Sequence, residues 1–424
     1  MYLTYAVYGL CLLLLIWGGK FAGFKGTQFH EDSTSLEITK SLRGFAALGV
    51  ILHHVSQESA FQWANGGHGK PGELAIFVNA GYLFVAIFFF CSGFGLIKSL
   101  ETKPGYLKTF LKKRVLKGLV IPYYVSIVIY GIFRFAMGEK LPVAQWITNF
   151  LGITMMNEYA WYPVIAGILY VAFYLIFKNI KNQKVCFTLM ALVIILLGMI
   201  FCVNGHFAWW AGPKNWWIGR HPEFQPKWWM QQKVLLISGE WWVNSAPALF
   251  IGMLFARFED KIRVWFKKLY WVKLLAVLVV TAALYMLAGF AQYKFGYWTE
   301  YSGNGPDIVK KIITYFGQIP FSMIFVILIF TVMLKYRATN PVSRFFGKMS
   351  LETYMMNLIA ITVFRFLIYA KGNSWQPTPI YKAGRYNLAL YLVAVLAGTI
   401  LLAFIYKFLC SLVSGTWKRK RVES

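Results

Sequence analysis

Long apolar blocks separated by short polar loops make up the whole chain. The blocks lie near residues 1–19, 38–57, 76–98, 115–136, 157–177, 185–204, 234–256, 271–292, 308–334, 349–370 and 386–414. A helix needs about 20 apolar residues to cross a bilayer, and each block has roughly that length or somewhat more. The pattern predicts an all-α polytopic membrane protein with about eleven transmembrane helices. The first block, "MYLTYAVYGLCLLLLIWGG", lacks a basic leader and a small-residue cleavage site, so it reads as a retained helix rather than a signal peptide.

The second block differs from the rest in its polar residues. "SLRGFAALGVILHHVSQ", residues 41–57, takes in Arg43 near one end and His53 and His54 near the other. Ionisable groups are costly inside hydrocarbon and mark function by default. Eleven residues separate Arg43 from His54, which on an α-helix is about 16 Å of rise and only about 20° of rotation. The two therefore share one face, while His53 sits about 80° away from it. Between them the same stripe carries Ala46, Ala47 and Val50, small residues along which a slender ligand fits. Glu58 follows His54 at the i, i+4 spacing that lets a carboxylate reach an imidazole, fix its tautomer and stabilise the imidazolium. The plainer alternative is that Arg43 snorkels to the interface and His54 sits at a helix end.

Composition supports the membrane reading. Of 424 residues, 58% are hydrophobic, 19% aromatic and only 14% charged, too few to cover a soluble surface. The net charge of +27 does not indicate nucleic-acid binding, because the cations sit in short loops between apolar blocks. Loops 20–43, 98–117, 178–184, 257–273, 335–348 and the tail from 407 hold 29 Lys and Arg, against 13 in the alternate loops. The positive-inside rule then places the N-terminus outside and the "KRKR" tail, Lys418–Arg421, in the cytoplasm. The five cysteines lie in or beside apolar blocks without metal or disulfide spacing, so they read as small hydrophobes and no metal is expected. The outer loop "NGHFAWWAGPKNWWIGRHPEFQPKWWMQQK" carries three tryptophan doublets, either an interfacial belt or a stacking platform for a sugar ring.

Three further stretches carry a resemblance. "LFVAIFFFCSGFGLIKSL" contains Ser92-Gly93-Phe94 and leads into the basic "YLKTFLKKRVLKGLVIPYYV"; "AWYPVIAGILYVAFYLIF" begins with Trp161 and Tyr162; "PVSRFFGKMSLETYMMNLIAI" opens the tenth block. In this order the chain resembles the acyltransferase-3 family of membrane-embedded O-acyltransferases. That family opens with an arginine, ten intervening residues and a histidine inside an "LRGxAAxxVxxxH"-like helix, a spacing that Arg43 and His54 fit and His53 does not. An "FFxxSGF" helix follows, then an arginine and proline matched by Arg114 and Pro122. The resemblance covers residues 38–415, with the first helix extra. Two positions depart from the pattern. Lys40-Ser41 stands where many members carry Asp, and Asn357 stands at the histidine of a "YLxH"-like pattern.

The resemblance implies acyl transfer from cytoplasmic acyl-CoA, usually acetyl-CoA, to a hydroxyl of an extracytoplasmic or lipid-linked saccharide of the cell envelope. In that reading His54 acts as general base or acyl carrier with Glu58 beside it. Arg43, Ser92, Lys113 and Arg114 bind the donor, and Trp161, Tyr162 and Asn357 lie toward the acceptor. Guanidinium groups suit the phosphates of CoA, although Lys112–Arg114 also read as ordinary positive-inside charge. Ser-Gly-Phe likewise suits close helix packing. Three segments are expected: 1–37 with the extra helix and its loop, the membrane domain 38–415, and the basic tail 416–424. A multi-pass protein of the cell membrane follows, and a homo-oligomer is compatible with it. The rival is a transporter or flippase for an anionic or glycolipid substrate, with Arg43 and His54 as a binding and proton-relay pair. Internal repeats and paired broken helices, frequent in transporters, are not visible in the sequence.

Overall fold

The computed structural model describes residues 2–59, 74–78, 80–138, 141, 143–152, 155–157, 161–204, 244–295, 305–368 and 388–416, without some side chains near the ends of these ranges, those of Glu58 and Arg365 among them. The tryptophan-rich loop of the sequence lies outside these residues.

Among the described residues, each predicted block contains a helix. They are α1 (Tyr2–Ile16), α2 (Leu36–Ser59), α3 (Gly81–Thr102), α4 (Leu111–Ala136), the short α5 (Val143–Phe150), α6 (Trp161–Asn179), α7 (Gln183–Asn204), α8 (Pro247–Arg257), the short α9 (Glu259–Lys267), α10 (Tyr270–Phe295), α11 (Gly305–Lys335), the short α12 (Pro341–Lys348), α13 (Ser350–Ile368) and α14 (Leu388–Val413). Among the described residues, seven helices are long and apolar enough to span a membrane: α3, α4, α6, α7, α10, α11 and α14. Their outward faces carry exposed Leu, Ile, Val and Phe, such as Ile132, Leu196, Leu275 and Leu401, which is the surface hydrocarbon requires. The chain is an all-α polytopic membrane protein.

The most polar of the long helices, α2, lies inside the bundle. It packs against α3, α12, α13 and α14, and Ala46, Ala47, Val50, Ile51 and Val55 are buried in those contacts. Ser35 starts it by accepting a hydrogen bond from the Ile38 amide (3.4 Å), filling one of the open donors of the first turn. Glycine permits two of the closest crossings. A Cβ at Gly44 would strike the Ser343 carbonyl of α12, and one at Gly347 would strike the Lys40 carbonyl of α2. Gly93 of α3 and Gly252 of α8 meet the opposing backbone in the same way, so backbone rather than side chain fills these crossings.

The basic loops gather at one end of the bundle. Lys20–Phe21 pairs antiparallel with Tyr336–Arg337. Lys98 bonds Glu259 at 2.6 Å, Arg257 bonds Glu101 at 3.0 Å, and Lys407 bonds Glu352 at 3.3 Å. Lys117 donates to the Ser414 carbonyl, and Arg263 reaches His30, Glu31, Ser33 and Thr34. Lys335, 2% exposed, donates to the carbonyls of Gly23 and Lys25 beneath the Phe29, Tyr270 and Trp271 rings. Segments 20–43, 98–117, 257–273, 335–348 and the tail thus share one face, as their charge pattern implies.

Candidate active site

His54 lies 6% exposed on α2, against α13. Its Nδ1 is 2.8 Å from Oδ1 of Asn357. The hydrogen-bond network assigns the orientation of that amide. Asn357 Nδ2 donates to the carbonyls of Thr353 (3.1 Å) and Tyr354 (3.0 Å), one turn earlier on its own helix. Oδ1 therefore faces the imidazole, and because it is only an acceptor, Nδ1 must carry the proton. The neutral ring then holds its lone pair at Nε2.

His53 is placed differently. Its Nδ1 donates to the Phe77 carbonyl at 2.8 Å, and its ring lies so close to Gly81 that any Cβ there would collide with it. It wedges α2 against the start of α3.

At the other end of the stripe, Arg43 lines a cavity of about 130 Å³ with Ser92, Leu119, Tyr162, Ser350 and Tyr354. Among the described residues no carboxylate pairs with this guanidinium, and its Nε is buried without a hydrogen-bond partner. Leaving such a donor unmade typically costs about 1–3 kcal/mol, more for a charged group. Ser92 Oγ and Tyr162 Oη are 2.9 Å apart, and Tyr354 Oη accepts from the Tyr162 amide at 3.4 Å. Tyr354 and Asn357 are three residues apart on α13, so one helix presents a phenol to the Arg43 cavity and an amide to His54.

The structure thus brings Arg43, Ser92 and Tyr162 together and joins Asn357 to His54. Tyr162, expected toward the acceptor, lines the Arg43 cavity. Asn357, also expected there, is fully committed within the protein, through Oδ1 and both bonds of Nδ2. Trp161 is buried against Phe89. Lys113 and Arg114 are exposed on the first, π-helical part of α4 (Leu111–Val120), outside the cavity that Leu119 of the same segment lines. Glu58 lies outside the described side chains; the partner the structure describes at His54 Nδ1 is Asn357.

The small-residue stripe is also not an open track. Ala46, Ala47 and Val50 are buried against neighbouring helices, because small side chains suit close packing as well as they suit a ligand. The sequence missed Tyr354 and Ser350, whose only signal was a place on the same helix as Asn357. Arg134 lies 3.5 Å from the Met156 sulfur. Among the described residues, no three His, Cys, Asp or Glu side chains cluster as a metal site.

No curated protein and no solved structure matches the chain significantly. The model of the acyltransferase-3 family, described as an acyltransferase domain, matches residues 40–408. That match runs from the Arg43–His54 helix into the last helix of the bundle, and the chain belongs to the acyltransferase-3 family of membrane acyltransferases.

Proposed function

We propose that the protein is an O-acyltransferase that takes an acyl group, most simply acetyl, from cytoplasmic acyl-CoA. The acceptor is a hydroxyl of an extracytoplasmic or lipid-linked saccharide in the cell envelope. The observation that supports this reading is Arg43: a half-buried guanidinium with no counter-ion among the described residues, lining a cavity on the same helix as a buried histidine. A half-buried cation unpaired among the described residues is suited to an anion from outside the protein. The phosphates of CoA supply one, and a guanidinium grips phosphate through two parallel bonds.

His54 then serves as general base. Nε2 takes the proton of the acceptor hydroxyl as its oxygen attacks the thioester carbonyl, and the C–S bond breaks. The imidazolium returns the proton to the departing sulfur, giving the ester and free CoA. The basic face of the bundle lies in the cytoplasm in this reading, with the N-terminus outside and the C-terminus inside, in the cell membrane.

Purified protein in lipid nanodiscs, given labelled acetyl-CoA and candidate glycans, tests the reading. Acceptor-dependent release of CoA with label on the glycan is expected, and its loss in His54→Ala with the fold retained. Full activity in that variant would overturn the base assignment. Vectorial movement of a glycolipid without CoA release would replace the enzyme by a transporter.

A further inference from the structure

We propose that Asn357 is the positioning residue of His54, a neutral acceptor that holds the imidazole in its Nδ1–H tautomer and presents Nε2 to the reacting hydroxyl; this rests on His54 being the base. The 2.8 Å bond joins two buried side chains, and Asn357 is 0% exposed. Both ends of the amide are engaged, so turning it over would set Nδ2 against a protonated ring nitrogen and leave Oδ1 facing two carbonyls. That makes the acceptor's direction a property of α13 rather than of a free rotor.

Helix α13 is itself held in register at this point. Tyr130 Oη of α4 and Asn157 Nδ2 both donate to the Met355 carbonyl at 2.9 Å, two residues before Asn357. Tyr162 of α6 reaches Tyr354 through its backbone amide. The tautomer of a histidine on α2 is thus set by a helix anchored to α4, α6 and the 155–157 segment. An amide performs this task without a charge. It orients the ring and selects the nitrogen that keeps the lone pair, but gives an imidazolium less electrostatic help than a carboxylate would. The proton taken from the hydroxyl is accordingly handed on to the leaving sulfur rather than stored. A residue of this kind acts on kcat and leaves the donor KM alone.

The test is nitrogen NMR of the full-length protein in lipid bilayers, with ¹⁵N-labelled histidine and the His54 signal identified by its loss in His54→Ala. We expect the wild-type neutral ring to be protonated at Nδ1, Asn357→Asp to keep that state, and Asn357→Leu to populate the other tautomer. With acetyl-CoA and an acceptor, Asn357→Leu should lose about 10²–10⁴-fold in kcat at unchanged donor KM, and Asn357→Asp should recover much of it. A wild-type ring protonated at Nε2, or an Asn357→Leu enzyme with wild-type kcat, would overturn the proposal. If Asn357→Leu does not fold, Asn357→Ala replaces it, and the wild-type spectrum is decisive by itself. The spectrum needs no turnover: an Nδ1-protonated ring in a protein that transfers no acyl group supports the positioning while overturning the transferase reading.

Discussion

Ser92 Oγ and Tyr162 Oη lie 2.9 Å apart, tying α3 to α6 at the wall of the cavity that Arg43 enters. Breaking this pair from one side leaves a hydroxyl in a buried site without its partner, which costs more than removing both. Tyr162→Phe and Ser92→Ala should each raise the KM for acetyl-CoA, by about 2- to 10-fold. The double variant should fall short of the product of the two effects. Fully multiplicative KM changes would show that the two hydroxyls act independently on the donor.

Arg43 separates binding from stability. Its Nε has no partner among the described residues, so the described fold gains little from its charge. Arg43→Ala should raise the KM for acetyl-CoA about 10- to 100-fold, the worth of a hydrogen bond to a charged group. Its thermal unfolding midpoint should stay level or rise. Arg43→Lys should not restore the KM, because an ammonium cannot reproduce the two-pronged contact with phosphate. A lower midpoint with an unaltered KM would instead assign Arg43 to helix packing.

What the sequence could and could not reveal follows from distance along the chain. The all-α polytopic architecture was legible because hydrocarbon demands long apolar runs, and the Arg43–His54 register because it belongs to one helix. The partner of His54 was not legible, since Asn357 lies 303 residues away and nothing local marks it as facing an imidazole. Read locally, Asn at that position only removes a titratable group; read in three dimensions, it supplies an acceptor to the ring on α2. Glu58 was legible as a candidate partner because i, i+4 spacing is visible in a string of letters, and its side chain lies outside the described residues. Ala46, Ala47 and Val50 illustrate the converse ambiguity: the same small residues describe a ligand track and a tight helix crossing, and the neighbouring helices decide for the crossing.

The α2–α12 contact should be intolerant of any side chain. Gly44 and Gly347 each press against the opposing backbone, which has no rotamer with which to retreat. Ser41 and Ser343 lock the same crossing through a 2.6 Å hydrogen bond. Gly44→Ala or Gly347→Ala should destabilise the protein by about 1–3 kcal/mol, seen as a lower thermal midpoint in nanodiscs. Because Arg43 is the neighbour of Gly44, Gly44→Ala should also raise the donor KM, whereas Gly347→Ala should act chiefly on stability. Wild-type midpoints in both would mean that the helices stand further apart than they do here.

Glu259 makes the basic face sensitive to acid. Burial pushes its carboxyl upward, but bonds from Lys98 and Thr34 and the charges of Lys98 and Arg263 outweigh this and hold it below its ordinary 4.5. A carboxyl lowered in the folded state adds stability that is fully present above 4.5 and lost as pH falls through the lower folded value. Through Arg263 the same cluster fastens residues 30–34 to α9. Glu259→Gln should therefore lower the thermal midpoint at neutral pH and flatten its fall on acidification below 4.5. Limited proteolysis should show the 20–35 segment cut faster in the variant at neutral pH, and in the wild type only at acid pH. A variant whose midpoint falls with acid as steeply as the wild type would show that Glu259 is not the source of the acid sensitivity.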